Sequence, residues 1–291
     1  MPFAPPFCFP VFLSPIGIGG LRRLGSPVAL QRLARAVTFP VIYGIMTAHH
    51  YFDTRSLMQS GSNDISFTLF GFPTTIQPFF WLIAAVITAL HLGQIDEMPI
   101  WIAQMFLGMV AVLISILVHE LGHALVFRHV FHTPCTLVLH GFGGLTMPLH
   151  HYRHSYGIRG TIARCFLSFA GPLAGFILAA LMMAIIFVVP IDNGGFVSKL
   201  LFYFCEWMVW ISIVWGIFNL LPIYPMDGGH ISREFFLFFF PRRGKEFSLY
   251  VSIMLASLLA ILALQHGMFF ITFLFGFFAY QNYQELNFRS F

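Results

Sequence analysis

Five consecutive residues, His119-Glu120-Leu121-Gly122-His123, carry the densest chemistry in this 291-residue chain. Residues four apart share one face of a helix, so His119 and His123 can hold a single metal ion. Glu120 lies between them and can reach a water beside that ion. Two His ligands flanking a Glu base form the arrangement used in zinc-dependent peptide hydrolysis. A tetrahedral catalytic zinc takes a third protein ligand and keeps one position open. That ligand must come from elsewhere in the chain, so the elements that carry these residues decide the matter.

The surroundings are apolar. Hydrophobic residues make up 58% of the chain and charged residues only 9%, with a mean hydropathy of +0.82. An ordinary soluble domain has about 25% charge and about 45–50% apolar residues. This balance excludes a soluble globular enzyme, a disordered protein and a nucleic-acid binder, despite a pI near 9.0. The expected fold is an all-α polytopic membrane protein in the lipid bilayer, with about six transmembrane helices and a small membrane-associated β element. The apolar runs cover about 78–92, 100–127, 165–189, 200–221, 247–264 and 268–280. Gln265-His266-Gly267 separates the last two, which read as a helical hairpin.

Ile65–Leu69 alternates apolar and polar residues and reads as a strand ended by Gly71 and Pro73. Cys135–His140 reads as another, with Gly141-Phe142-Gly143-Gly144 as a turn, and Pro222–Glu246 as a polar, turn-rich segment. Residues 1–60 hold seven of the seventeen prolines, five arginines and one acid, and are expected to be a poorly ordered basic extension. The membrane domain is then 61–291. The four cysteines are far apart and suggest free thiols.

Charge sets the topology. Six spans place fourteen of the fifteen Lys and Arg residues on one side, leaving only Lys199 on the other. Positive charge stays in the cytoplasm, so both termini are expected there, in a multi-pass protein of the cell membrane. Glu120 then lies roughly 12 Å into the membrane from Arg128, at 1.5 Å per residue. An acid at that depth is a functional-site hypothesis by default. The fourth span finishes on the same side as the second, with Asn219-Leu220-Leu221-Pro222-Ile223-Tyr224-Pro225-Met226-Asp227-Gly228-Gly229-His230. Asp227 is therefore at a depth where it can meet His119 and His123. Pro222 and Pro225 break the helix, which membranes tolerate where the chain lines a cavity.

HELGH on one span and N-x-x-P-x-x-P-x-D-G after another resemble the site-2 protease family of intramembrane zinc metalloproteases. The likeness runs from about residue 64 to 240. It includes the strand Ile65–Phe70 leading into Pro78, the Gly-Gly turn after Cys135–His140, and Phe169-Ala170-Gly171-Pro172. The resemblance implies one zinc ion per chain, with His119, His123 and Asp227 as ligands and Glu120 as catalytic base. It implies Asn219 as a cleft residue near substrate or oxyanion. The substrate implied is a transmembrane segment of another protein, cut near the cytoplasmic face in regulated intramembrane proteolysis. The likeness is to the minimal form, without PDZ or CBS domain. An edge strand, Ile65–Phe70 or Cys135–His140, is expected to hold the unwound substrate by strand addition.

Two rivals use the same residues. A di-iron membrane oxidase would combine His119 and His123 with His150-His151-Tyr152-Arg153-His154, but it needs neither Glu120 nor the Pro-Pro-Asp-Gly segment. A catalytically inactive binding or chaperone relative would have lost Glu120 or Asp227, and both are present. His230 is a candidate to orient Asp227. The aromatic run Phe235–Phe240 is a candidate gate at the interface. His91, His140 and His266 suggest no chemistry.

Overall fold

The computed structural model describes residues 63–92, 98–141, 143–149, 157–188 and 196–287. The chain divides into two units, Met1–Gln59 and Ser60–Phe291, and every described residue lies in the second. The N-terminal extension and the His150–His154 cluster fall outside the described residues.

Two strands, β1 (Ile65–Leu69) and β2 (Phe72–Ile76), open the described chain. Helices α1 (Pro78–Leu92) and α2 (Met98–His129) follow, then strands β3 (Cys135–His140) and β4 (Gly143–Pro148). The rest is helical: α3 (Ile158–Val188), α4 (Phe196–Asn219), α5 (Asp227–Phe239), α6 (Gly244–Gln265) and α7 (Phe269–Asn287). Each of the six predicted apolar runs is a helix. Four of them, α2, α3, α4 and α6, are long and apolar enough to cross a membrane, among the described residues. At 15 residues, α1 is about 22 Å long, short of a hydrocarbon core of about 30 Å. The 19 residues of α7 are not among the four.

The β element is larger than the sequence suggests. Its four strands run in the order β1-β2-β3-β4. β1 and β2 pair antiparallel, β2 and β3 parallel, and β3 and β4 antiparallel. Phe70 and Gly71 both take positive φ in the β1–β2 turn, the geometry of a two-residue hairpin loop. Pro73 therefore does not end the strand; it lies within β2 opposite Thr68. Gly143 and Gly144 belong to β4 rather than to a turn. β3 lies between β2 and β4, with every residue but His140 buried, so it offers no edge. That overturns its predicted role in strand addition. The edges are β1 and β4.

Side chains of β2, β3 and α2 share one core: Phe72, Leu137 and Cys135 pack with Ala124 and Phe127. Burial pushes the Cys135 thiol up to about 11, against the opposing pull of Arg128, so it is an inert core thiol. The segment between α2 and α3 is thus partly a hairpin packed on α2.

Small residues let α2 and α3 approach closely. A Cβ on Gly122 would stand 2.3 Å from the Ala170 carbonyl oxygen. Such contacts take the place of the hydrophobic drive that lipid removes. Pro222–Glu246 is also more ordered than its composition suggests, since α5 occupies half of it. Asp227 in its first turn complements the helix dipole.

Candidate metal centre

α2 places His119, Glu120 and His123 on one buried face, and candidate donor atoms of all three lie within 4.8 Å of one another. The chain break after α4 brings Asp227 to the same point from the start of α5. His119 Nε2 is 3.1 Å from Asp227 Oδ2, and His123 Nε2 is 3.4 Å from Asp227 Oδ1. The two Nε2 atoms are 3.2 Å apart. The structure therefore brings Asp227 to the two predicted histidine ligands, more than a hundred positions away in sequence.

These distances test the site for a metal. Bonds of about 2.0–2.1 Å in a tetrahedron place neighbouring ligand atoms about 3.3 Å apart. The three observed separations bracket that value. His123 Nδ1 donates to the Leu167 carbonyl at 2.7 Å. In the neutral ring this leaves a lone pair on Nε2, directed at His119 and Asp227. Lone pairs converging with a carboxylate in a buried site repel unless a cation or protons lie among them. His119 Nδ1 is buried with no hydrogen-bond partner. The donor set, two imidazoles and one carboxylate, suits zinc.

Glu120 is 4% exposed and is held from the sheet side. Thr146 Oγ1, on β4, donates to Glu120 Oε2 at 2.7 Å and can also reach the Glu120 backbone oxygen at 3.1 Å. Gly144 makes this approach possible, because a Cβ there would lie 2.3 Å from Glu120 Cγ. Gly171 does the same for the histidines: its Cβ would lie 2.2 Å from His123 Nε2 and 2.7 Å from His119 Nε2. The Phe169–Pro172 motif thus has a steric reason at the centre.

The Asp227 loop is positioned from behind. Tyr224 N–H donates to Ser252 Oγ of α6 at 3.1 Å, and Asn282 Nδ2 of α7 donates to the Tyr224 oxygen at 2.6 Å. Gly228 and Gly229 press against the backbone of Leu220–Tyr224, where any side chain would clash. Ile223 is fully buried and anchors the loop against α6 and α7.

Other predicted residues fall differently. Asn219, half-buried at the end of α4, donates one amide hydrogen to the Trp215 oxygen at 2.9 Å. The His230 ring meets Tyr224 edge-on, with centroids 5.0 Å apart; no hydrogen bond joins it to Asp227 among the described residues. The aromatic run is exposed at Phe235, Phe238, Phe239 and Phe240. Sequence reasoning missed Thr146, Gly144, Leu167, Ser252 and Asn282. Only the glycine had a signal, as part of a conspicuous Gly-rich stretch.

The model of Peptidase family M50 matches residues 191–260. The chain is 31% identical over 129 residues to the putative zinc metalloprotease Rip3 of Mycobacterium tuberculosis, covering 44% of this chain and 30% of that protein. It is 28% identical over 167 residues to the zinc metalloprotease MJ0392 of Methanocaldococcus jannaschii, covering 57% and 43%. The chain thus spans less than half the length of these curated relatives. The solved site-2 protease from M. jannaschii aligns with a TM-score of 0.49 and 23% identity, over 77% of this chain and 95% of that one. By the family match and the two curated relatives, the chain is similar to the zinc metalloproteases of Peptidase family M50.

Proposed function

We propose that this protein is a zinc metalloendopeptidase that hydrolyses peptide bonds within transmembrane segments of other membrane proteins, near the cytoplasmic face. Regulated intramembrane proteolysis is its context. One observation carries the reading: three metal-type donors converge beside a buried carboxylate on a helix long and apolar enough to span. Its charge bias supports cytoplasmic termini.

In this reading His119, His123 and Asp227 hold the ion. Zinc, when bound, supplies Lewis-acid polarisation of the peptide carbonyl and activation of water. Glu120 takes the proton of the attacking water and delivers it to the leaving amine. Thr146 aims the Glu120 carboxylate. Asn219 keeps one amide hydrogen beyond its bond to Trp215, available to a developing oxyanion.

The unwound substrate adds to the free edge of β4, the strand that carries Thr146. β1 is three strands away, about 14 Å at 4.7–4.9 Å per step. The outward N–H groups of β4 are those of Gly144 and Thr146, because the Leu149 N–H turns inward to the Pro134 oxygen. Thr68→Pro removes an outward N–H from β1 instead and should leave cleavage near wild type, with metal content unchanged. A loss of at least about tenfold moves the substrate to β1.

Metal content of the detergent-purified protein tests the central claim, wild type beside His119→Ala. About one zinc per chain, lost in the variant, is expected. Two irons overturn the protease reading. A folded protein without metal indicates a non-enzymatic binding relative.

A further inference from the structure

Glu206 contradicts the rule for charges in membranes. It is the eleventh residue of the 24-residue α4, about 15 Å from one end and 20 Å from the other. Charges at such depth normally face the bundle interior or a water-filled cavity and have partners. Glu206 instead is exposed, while its neighbours Cys205 and Trp207 are buried. Among the described residues, no hydrogen bond or ion pair reaches its carboxylate.

It also lies away from the metal centre. Trp207 and Met208 pack on Ala111 of α2, nine residues before Glu120 and hence about 14 Å along the helix. The proposed chemistry has no use for it.

Glu206 belongs to a stripe. Lys199, Tyr203 and Glu206 are spaced four and three apart, so they share one face of α4. Lys199 and Glu206 are exposed and Tyr203 is half-exposed. Phe202, 37% exposed, and Ile217, 57% exposed, extend the same face as apolar contact. A polar ladder of this kind on a spanning helix is poor against lipid and well suited to another helix, where interhelical hydrogen bonds form.

We propose that this face of α4 docks a transmembrane helix of another polypeptide carrying Lys or Arg at the depth of Glu206. Charge complementarity selects that occupant, because a basic side chain satisfies the carboxylate without protonating it. A second copy of this chain fits less well. Two-fold symmetry about the membrane normal sets Glu206 against its own counterpart at equal depth, so the pair must share a proton. Lys199, two turns away, adds a register: an acid seven residues from the partner's base would meet it.

The test uses the full chain in phosphatidylcholine vesicles with labelled Leu-Ala transmembrane peptides whose central residue is Lys, Leu or Glu. Association is read by fluorescence energy transfer. The Lys peptide should bind wild type about tenfold more tightly than the Leu peptide, the scale of an intramembrane polar pair. Glu206→Leu should remove that preference. It puts an apolar side chain against lipid and should fold as well as wild type. Glu206→Lys should transfer the preference to the Glu peptide. Equal binding of the Lys and Leu peptides, or a preference that survives Glu206→Leu, overturns the proposal. So does self-association of the wild type that Glu206→Leu abolishes, which makes a second copy the occupant.

Discussion

Glu120→Gln is expected to lower peptide-bond hydrolysis by about 10²–10⁴-fold, the usual contribution of a general acid–base group, while leaving fold and metal content intact. The amide has the shape of the carboxylate, so the close contact with Gly144 persists. Thr146 Oγ1 can reverse its role and accept from the new amide, so the 2.7 Å contact survives. His119, His123 and Asp227 are untouched. What disappears is the capacity to take a proton. Single-turnover cleavage of a transmembrane substrate, with zinc measured on the same sample, checks this. Wild-type turnover in the variant removes Glu120 as the base.

Gly171→Ala is expected to empty the centre without touching a ligand. The added methyl would sit 2.2 Å from His123 Nε2 and 2.6 Å from its Cε1. Two imidazoles and a carboxylate that now meet within 3.1–3.4 Å have to spread. We expect zinc affinity to fall by about 100-fold or more, at or beyond the upper end for outer-shell changes. Gly175→Ala, about one turn on in α3, is the control: its Cβ meets only the Ser212 oxygen, at 3.4 Å. Helix propensity favours alanine over glycine at both positions, so a difference between them reports the clash. Zinc competition with a chromophoric chelator measures it. Equal affinities in both variants remove the steric reading of Gly171.

Much of the centre was legible because its signals are local. Residues four apart on a helix must share a face, so His119 and His123 needed no fold to be paired. The apolar runs needed only their length and composition to be read as helices. Asp227 was reachable by one added step, the shared membrane side of two span ends. Other features came from pairings that no local pattern encodes. β4 has Gly-Gly and Pro at its ends, poor strand residues by propensity, and it is a strand because β3 pairs with it and α2 covers it. α5 carries two glycines in its first turn and is a helix because it packs on α3 and α6.

By itself, then, the sequence determined a polytopic membrane chain, its helical runs, the His-Glu-His face and the acid that joins it. The tertiary structure decided which strand is an edge, which hydroxyl holds Glu120, which carbonyl orients His123, and that Asn282 steadies the Asp227 loop. The division has one physical cause. Helical periodicity and hydrophobic length are properties of neighbours along the chain. Strand order and hydrogen-bond partners depend on which distant surfaces bury each other.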